Sequence, residues 1–250
     1  MKLDLNCDMG EHYGAWRMGD DAAILAHVTS ANIACGFHAG DPATMRGTVR
    51  AALAHGVAVG AHPALPDLQG FGRREMKVDP SEAYDLVLYQ VGALAGFCRA
   101  LGGRLHHVKP HGALYNMAAR DPALADAIAR TMHDFDPALV LYGLAGSALI
   151  GAGRAHGLKT ASEVFADRTY RRDGSLTPRS HPDAMIGDLQ TALAQVEGMV
   201  LRGEVRATDG SVVEVEADTL CIHGDEPNAA AFAREIRAVL GRLGVSVTAV

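Results

Sequence analysis

Histidine recurs in this chain where short apolar runs stop. His38 follows Ile33-Ala34-Cys35, His62 follows Val59-Gly60-Ala61, His111 follows Val108-Lys109-Pro110, and His223 follows Leu220-Cys221-Ile222. Each stands beside or near Gly or Pro, residues that let a backbone bend sharply or fix its course. Carboxylates occupy the same kind of position: Asp8 and Glu11, Asp41, Glu163 and Asp167, and Asp225. One lysine joins them in Lys109-Pro110-His111-Gly112, where Pro110 favours a fixed, inward side chain over a solvated one. A single histidine of this kind is ordinarily structural, whereas four in equivalent positions favour a functional reading. By contrast, His55, His106, His133 and His156 fall in helices, at helix ends or in a strand, and read as capping, packing or solvated groups.

Three chemistries remain open for such a set. Histidine and carboxylate ligands around a metal with an open position would activate water, and Asp8, His38 and His62 are then the expected ligands. No HExxH or other tight ligand spacing accompanies them. Metal-free hydrolysis would instead use Asp or Glu with His, tuned by a crowded pocket. In the third chemistry, Lys109 with Arg73 or Arg168 holds an anionic substrate or phosphorylated intermediate. Arg73-Arg74 and Arg171-Arg172 also suit simple solvated loops. There is no GxxxxGK[ST] loop, no GxGxxG after a strand and no GxSxG elbow, so nucleotide cradles of those kinds and a serine hydrolase are not expected.

Residues so scattered need elements that bring them together, and 30–42 shows the unit. Its apolar run is interrupted by Asn32, an amide that must find a partner if buried. Gly36 and Gly40 then allow a tight loop, and Asp41-Pro42 reads as a helix N-cap followed by the first helical residue. Strand, tight loop and helix recur along the chain. Strands are expected at 3–7, within 30–35, and at 57–61, 105–108, 139–142, 158–161 and 219–222. Helices are expected near 20–28, 43–55 and 80–101, from 121, up to 154, and over 183–201 and 228–243. This alternation predicts a parallel sheet with right-handed crossovers. The polar strand exits favour a closed barrel, whose strand ends converge on one mouth, over an open sheet that spreads them along an edge. Val205 and Val212-Val213 flank Thr208-Asp209-Gly210-Ser211, a hairpin signal, and 245–248 suits a last short strand. No composition shift or linker divides the chain, so 1–250 reads as one domain.

Composition narrows the classes. Hydrophobic residues make up 48% and charged residues 21% of the 250, as in ordinary soluble globular proteins. A net charge of −6 argues against a nucleic-acid surface, and no apolar run is long enough for a membrane span. Charges arrive at once after Met1, without a signal-peptide core, so the expected compartment is the cytoplasm. Cys7, Cys35, Cys98 and Cys221 form no CxxC pair and read as reduced, mostly buried thiols.

Together the loops resemble the LamB/YcsF family. The matching segments run in the family's order over nearly the whole chain: Asp4-Leu5-Asn6-x-Asp8-x-Gly10-Glu11, residues 30–42, Gly60-Ala61-His62-Pro63 with Pro66-Asp67, Gly70-Phe71-Gly72-Arg73, residues 108–116, residues 163–168, and His223-Gly224-Asp225. His12 departs from the pattern, where a small residue is expected, and is given no catalytic role. The resemblance implies an irregular seven-stranded β/α barrel of the glycoside hydrolase/deacetylase type. It implies ATP-dependent opening of 5-oxo-L-proline to L-glutamate, with Mg2+ accompanying ATP and with B and C subunits as partners. On the matched positions it implies catalytic roles among Asp8, Glu11, His38, Asp41, His62, Lys109, His111, Glu163, Asp167, His223 and Asp225. Substrate-binding roles are implied for Asn6, Asn32, Arg73, Tyr115, Asn116 and Arg168. Two other readings stay open beside it: a non-catalytic component that binds a small molecule, and a stand-alone metal-dependent C–N hydrolase.

Overall fold

Alternation along the first strand sets the inside of the molecule. In β1 (Lys2–Met9) successive side chains point to opposite faces. Leu3, Leu5, Cys7 and Met9 join the main hydrophobic core, while Asp4, Asn6 and Asp8 turn toward polar partners on other strands. The structure, a computed structural model, describes residues 1–222 and 229–250.

After β1 come α1 (Asp21–Leu25), β2 (Ser30–Ala34), α2 (Pro42–Ala54), β3 (Ala58–His62), α3 (Pro80–Ala100) and β4 (His107–Val108). These are followed by α4 (Gly112–Arg120), α5 (Pro122–Phe135), β5 (Val140–Leu144), α6 (Ala148–Ala155), β6 (Lys159–Phe165) and α7 (Leu189–Glu197). A hairpin of β7 (Glu204–Arg206) and β8 (Val212–Glu214) precedes β9 (Thr219–Ile222), α8 (Ala229–Arg242) and β10 (Ser246–Val247). Strands β1 to β6 pair in sequence order, β6 pairs with β9, and β9 pairs back onto β1, so seven parallel strands close a barrel. β10 lies parallel to the start of β1, and β7 and β8 form a separate antiparallel pair. No helix among the described residues is long and apolar enough to cross a membrane.

The helices start where the sequence places stop and start signals. Asp41, Asp79 and Asp121 each accept a backbone hydrogen bond as N-cap, with proline in the first turn of α2, α3 and α5. The barrel, the hairpin and the last short strand agree with the sequence reading. Several elements differ. α4 begins directly at Gly112, with no side-chain cap to announce it, and has no counterpart among the expected helices. α7 starts only at Asp188, its N-cap, rather than at 183, and its last turn widens into a π-wound segment over Gly198–Arg202. β6 continues to Phe165, which puts Glu163 inside the strand rather than in its exit loop.

Candidate active site

The deepest part of the site is a buried ammonium. β4 ends at Val108, and Lys109, only 2% exposed, turns inward. Its Nζ lies 2.9 Å from Asp8 Oδ1 and 2.7 Å from Glu163 Oε1, and it donates to Asn6 Oδ1 at 3.3 Å. Burial disfavours an ammonium, but Asp8, the Cys221 sulfur and Glu163 outweigh that penalty and hold Lys109 well above the ordinary lysine value. Asn32 Nδ2 donates to Asp8 Oδ1 at 2.8 Å and to Asn6 Oδ1 at 2.7 Å, and Asn6 Nδ2 donates to Glu163 Oε1 at 3.0 Å. Tyr115 donates its hydroxyl to Glu163 Oε2 at 2.7 Å. Burial, then Glu163, pushes this phenol well up, so it stays a donor at neutral pH.

Beside this centre the exits of β1 to β4 gather imidazoles. His62 Nε2 is 3.2 Å from Asp8 Oδ2 and 2.9 Å from His111 Nδ1. His38 stacks on His111 with centroids 3.8 Å apart, and its Nε2 is 3.1 Å from Glu11 Oε1. Burial, then the neighbouring imidazoles, pulls His38 and His111 well below the usual histidine value, so both are neutral at physiological pH. Glu11, His38, His62 and His111 each offer one ligand atom, all within 4.8 Å of one another. Three imidazoles and a carboxylate suit an ion of the zinc class. This group differs from the expected Asp8, His38 and His62, because Glu11 lies among the rings while Asp8 is taken up by Lys109 and Asn32.

Both centres open into a cleft of about 610 Å³ whose lining includes Asp8, Glu11, His62, Lys109, His111 and Tyr115. Arg73, Arg168, Arg171, Arg179 and exposed Asn116 also line it. Arg73 sits over the Phe71 ring at 4.8 Å. Arg168 is buried and donates to the carbonyls of Thr177 and Ala184, which ties the loop after β6 to the cleft wall. Burial draws its guanidinium down to about 10, still cationic at neutral pH. Asn6, Asn32 and Glu163 lie beneath the cleft as partners of Asp8 and Lys109. Asp167 is buried at the exit of β6. Asp41 is turned to its own helix, accepting from Ala43 N, Thr44 N and Thr44 Oγ1. His223 and Asp225 lie outside the described residues.

One residue of the network escapes the sequence reading. His107, fully buried in β4, has its Nε2 2.8 Å from Asn32 Oδ1 and stacks on Tyr142 at 4.2 Å. By engaging the Asn32 oxygen it directs that amide's nitrogen at Asp8 and Asn6. Its only trace in the sequence is Gly60 on the neighbouring strand, where any Cβ would overlap the His107 ring.

The LamB/YcsF family model matches residues 3–250. The chain is 69% identical over 247 residues to the 5-oxoprolinase A subunit of Bordetella parapertussis, covering 99% of this chain and 98% of that one. Among solved structures, the lactam utilization protein from Thermus thermophilus superposes with a TM-score of 0.93 at 52% identity, over the whole of both chains. At the level of the fold alone, a polysaccharide deacetylase from Bacillus cereus superposes with a TM-score of 0.50 at 13% identity, covering 100% of this chain and 92% of that one. With its barrel closed by seven strands and its full length matched, the chain belongs to the LamB/YcsF family.

Proposed function

We propose that this chain is the A subunit of a multi-subunit 5-oxoprolinase, which opens 5-oxo-L-proline to L-glutamate with hydrolysis of ATP, together with B and C subunits. The observation that carries the reading is the buried Lys109, held between Asp8 and Glu163 at the floor of a cleft lined by arginines. Such a pocket suits a small anion whose reacting carbonyl gathers negative charge. The names of a full-length relative, a 5-oxoprolinase component, and of a lactam utilization protein support the substrate class.

The chemistry asks for that arrangement. Amide resonance makes a five-membered lactam a poor electrophile. Transfer of the ATP γ-phosphoryl group to the lactam oxygen, with Mg2+ balancing the nucleotide's charge, turns that oxygen into a leaving group. Water then adds to the carbonyl carbon, the ring C–N bond breaks and the nitrogen takes up a proton, which leaves an acyl phosphate and ADP; a second water hydrolyses the acyl phosphate to glutamate and phosphate. In this scheme Lys109, Arg73 and Arg168 stabilise the substrate carboxylate and the phosphoryl oxygens. Asp8, beside the His62–His111 pair, takes the proton from the attacking water. Tyr115 holds Glu163, the carboxylate partner of Lys109, and Asn6 and Asn32 fix Asp8 and Lys109.

The test is reconstitution. The purified chain with ATP and 5-oxoproline is expected to release little glutamate, and the chain with the B and C subunits to release it steadily, with matching phosphate. Full activity of the chain alone, or glutamate release without ATP consumption, would refute the reading.

A further inference from the structure

We infer that the imidazole cluster at the exits of β1 to β4 binds one divalent transition-metal ion of the zinc class, ligated by His62 Nε2, His111 Nδ1 and the Glu11 carboxylate. The ring hydrogens decide which nitrogens face one another. His62 Nδ1 lies 2.7 Å from the Lys109 carbonyl oxygen, which only accepts, so Nδ1 carries a hydrogen and Nε2 is the nitrogen whose lone pair an ion would take. His111 Nε2 lies 2.8 Å from the Phe71 carbonyl oxygen, so its Nδ1 is likewise a lone pair. These two nitrogens face each other at 2.9 Å. Two acceptors at that distance with no hydrogen between them repel, and a cation between them removes the conflict.

The surrounding oxygens add to the demand. Asp8 Oδ2 is 3.2 Å from the same His62 nitrogen, and Glu11 Oε1 is 3.6 Å from the same His111 nitrogen. A single proton bridges one such approach, whereas an ion bonds several at once. A tetrahedral ion with bonds of about 2.0–2.1 Å spreads its ligands roughly 3.3 Å apart. The 2.9 Å and 3.6 Å separations bracket that value.

The outer contacts have the form that metal-binding imidazoles need. Each of the two rings donates its other N–H to a backbone carbonyl, which fixes tautomer and orientation before any ion arrives. His38 Nε2 donates to Glu11 Oε1 at 3.1 Å and orients the carboxylate in the same way. Next to Phe71, Gly72 at φ +64 lets the backbone pass close to both rings: a Cβ there would come within 2.9 Å of His111 Cδ2 and His38 Cβ. Nitrogen-rich ligands select zinc, cobalt or nickel over calcium or magnesium. Three protein ligands leave a tetrahedral ion one further position.

The experiment uses the full chain alone, without substrate or the other subunits. Metal is stripped with a chelator, the chelator is removed, and Co2+ is titrated while visible absorption is recorded, followed by Zn2+ competition and elemental analysis. The inference expects one Co2+ per chain with ligand-field bands, displacement by one Zn2+, and a raised thermal midpoint with either ion. His62→Ala and His111→Ala should each weaken binding by at least ~100-fold, and His38→Gln by the ~10–100-fold typical of a lost outer partner. His133→Ala and His156→Ala, in partly exposed positions, should leave binding unchanged. Should either ligand variant fail to fold, the parent titration still decides. Absence of stoichiometric binding by the folded parent, or unchanged binding by a folded His62→Ala/His111→Ala chain, would overturn the inference.

Discussion

Asp4 and Asp8 point into the barrel from the same face of β1, and the chain treats the two carboxylates oppositely. Asp4 accepts from Thr29 Oγ1 at 2.6 Å, Ser30 Oγ at 2.8 Å, Thr219 Oγ1 at 2.6 Å and the Tyr142 hydroxyl at 3.0 Å. All four donors are neutral and come from surrounding strands or the residue just before one, so this carboxylate ties the lower barrel together. Asp8 has a lysine ammonium, an amide and an imidazole around it, and it lines the cleft. Burial is common to both; what separates them is the charge of their partners and access to the cleft. The buried lysine sharpens the contrast. A buried ion pair is weak evidence for stability, because desolvation offsets much of the attraction, so its place at the cleft floor points to chemistry.

The largest expected effect is at Lys109. Lys109→Met is expected to stay folded by circular dichroism yet lose at least ~100-fold in glutamate release by the reconstituted complex, the order seen when one electrostatic stabiliser is removed. Lys159→Met, at the exposed start of β6, is the matched control and should be nearly silent.

Next is the other end of the comparison. Asp4→Asn presents an amide to hydroxyls arranged to donate, and urea denaturation is expected to show a stability loss on the order of 2 kcal/mol. His107→Leu removes the group that engages the Asn32 oxygen. A stability loss of about 1–2 kcal/mol is expected, with a fall in turnover smaller than that of Lys109→Met.

The smallest effect tests whether a carboxylate at a strand exit is a site residue merely by position. Asp41→Ala should cost roughly 1 kcal/mol as a lost N-cap, measured by thermal or urea unfolding. The Thr44 hydroxyl, then the Gly14 amide, holds the Asp41 carboxyl down at about 2, below its ordinary value of 3.8. Its folded value is the lower one, so its contribution is complete above the ordinary range and is lost as pH falls toward 2. The gap between parent and Asp41→Ala should close over that window.

Much of this was legible in the residues. Strands alternating with helices, and polar groups at nearly every exit, lead to a barrel with one mouth, and Asn32 announces a buried amide that must be answered. The rest was hidden by causes that lie across the sheet. β1 runs through Met9, two residues beyond the expected end, so Asp8 belongs to the strand while Glu11 reaches the imidazoles. His107 sits in a two-residue strand whose significance depends on Gly60 and Asn32, far away in sequence. α4 starts at a glycine in the left-handed region, with no capping side chain for a sequence to display.

The central claim, that Asp8 is reactive and Asp4 structural, is tested most directly by measuring unfolding free energy and reconstituted glutamate release on Asp4→Asn and Asp8→Asn together. The account predicts crossed results: Asp8→Asn loses at least ~100-fold in turnover with little loss of stability, while Asp4→Asn is the less stable protein and its folded fraction turns over near the parent rate. Near-parent turnover by a folded Asp8→Asn, or equal loss of turnover in both variants, would contradict it.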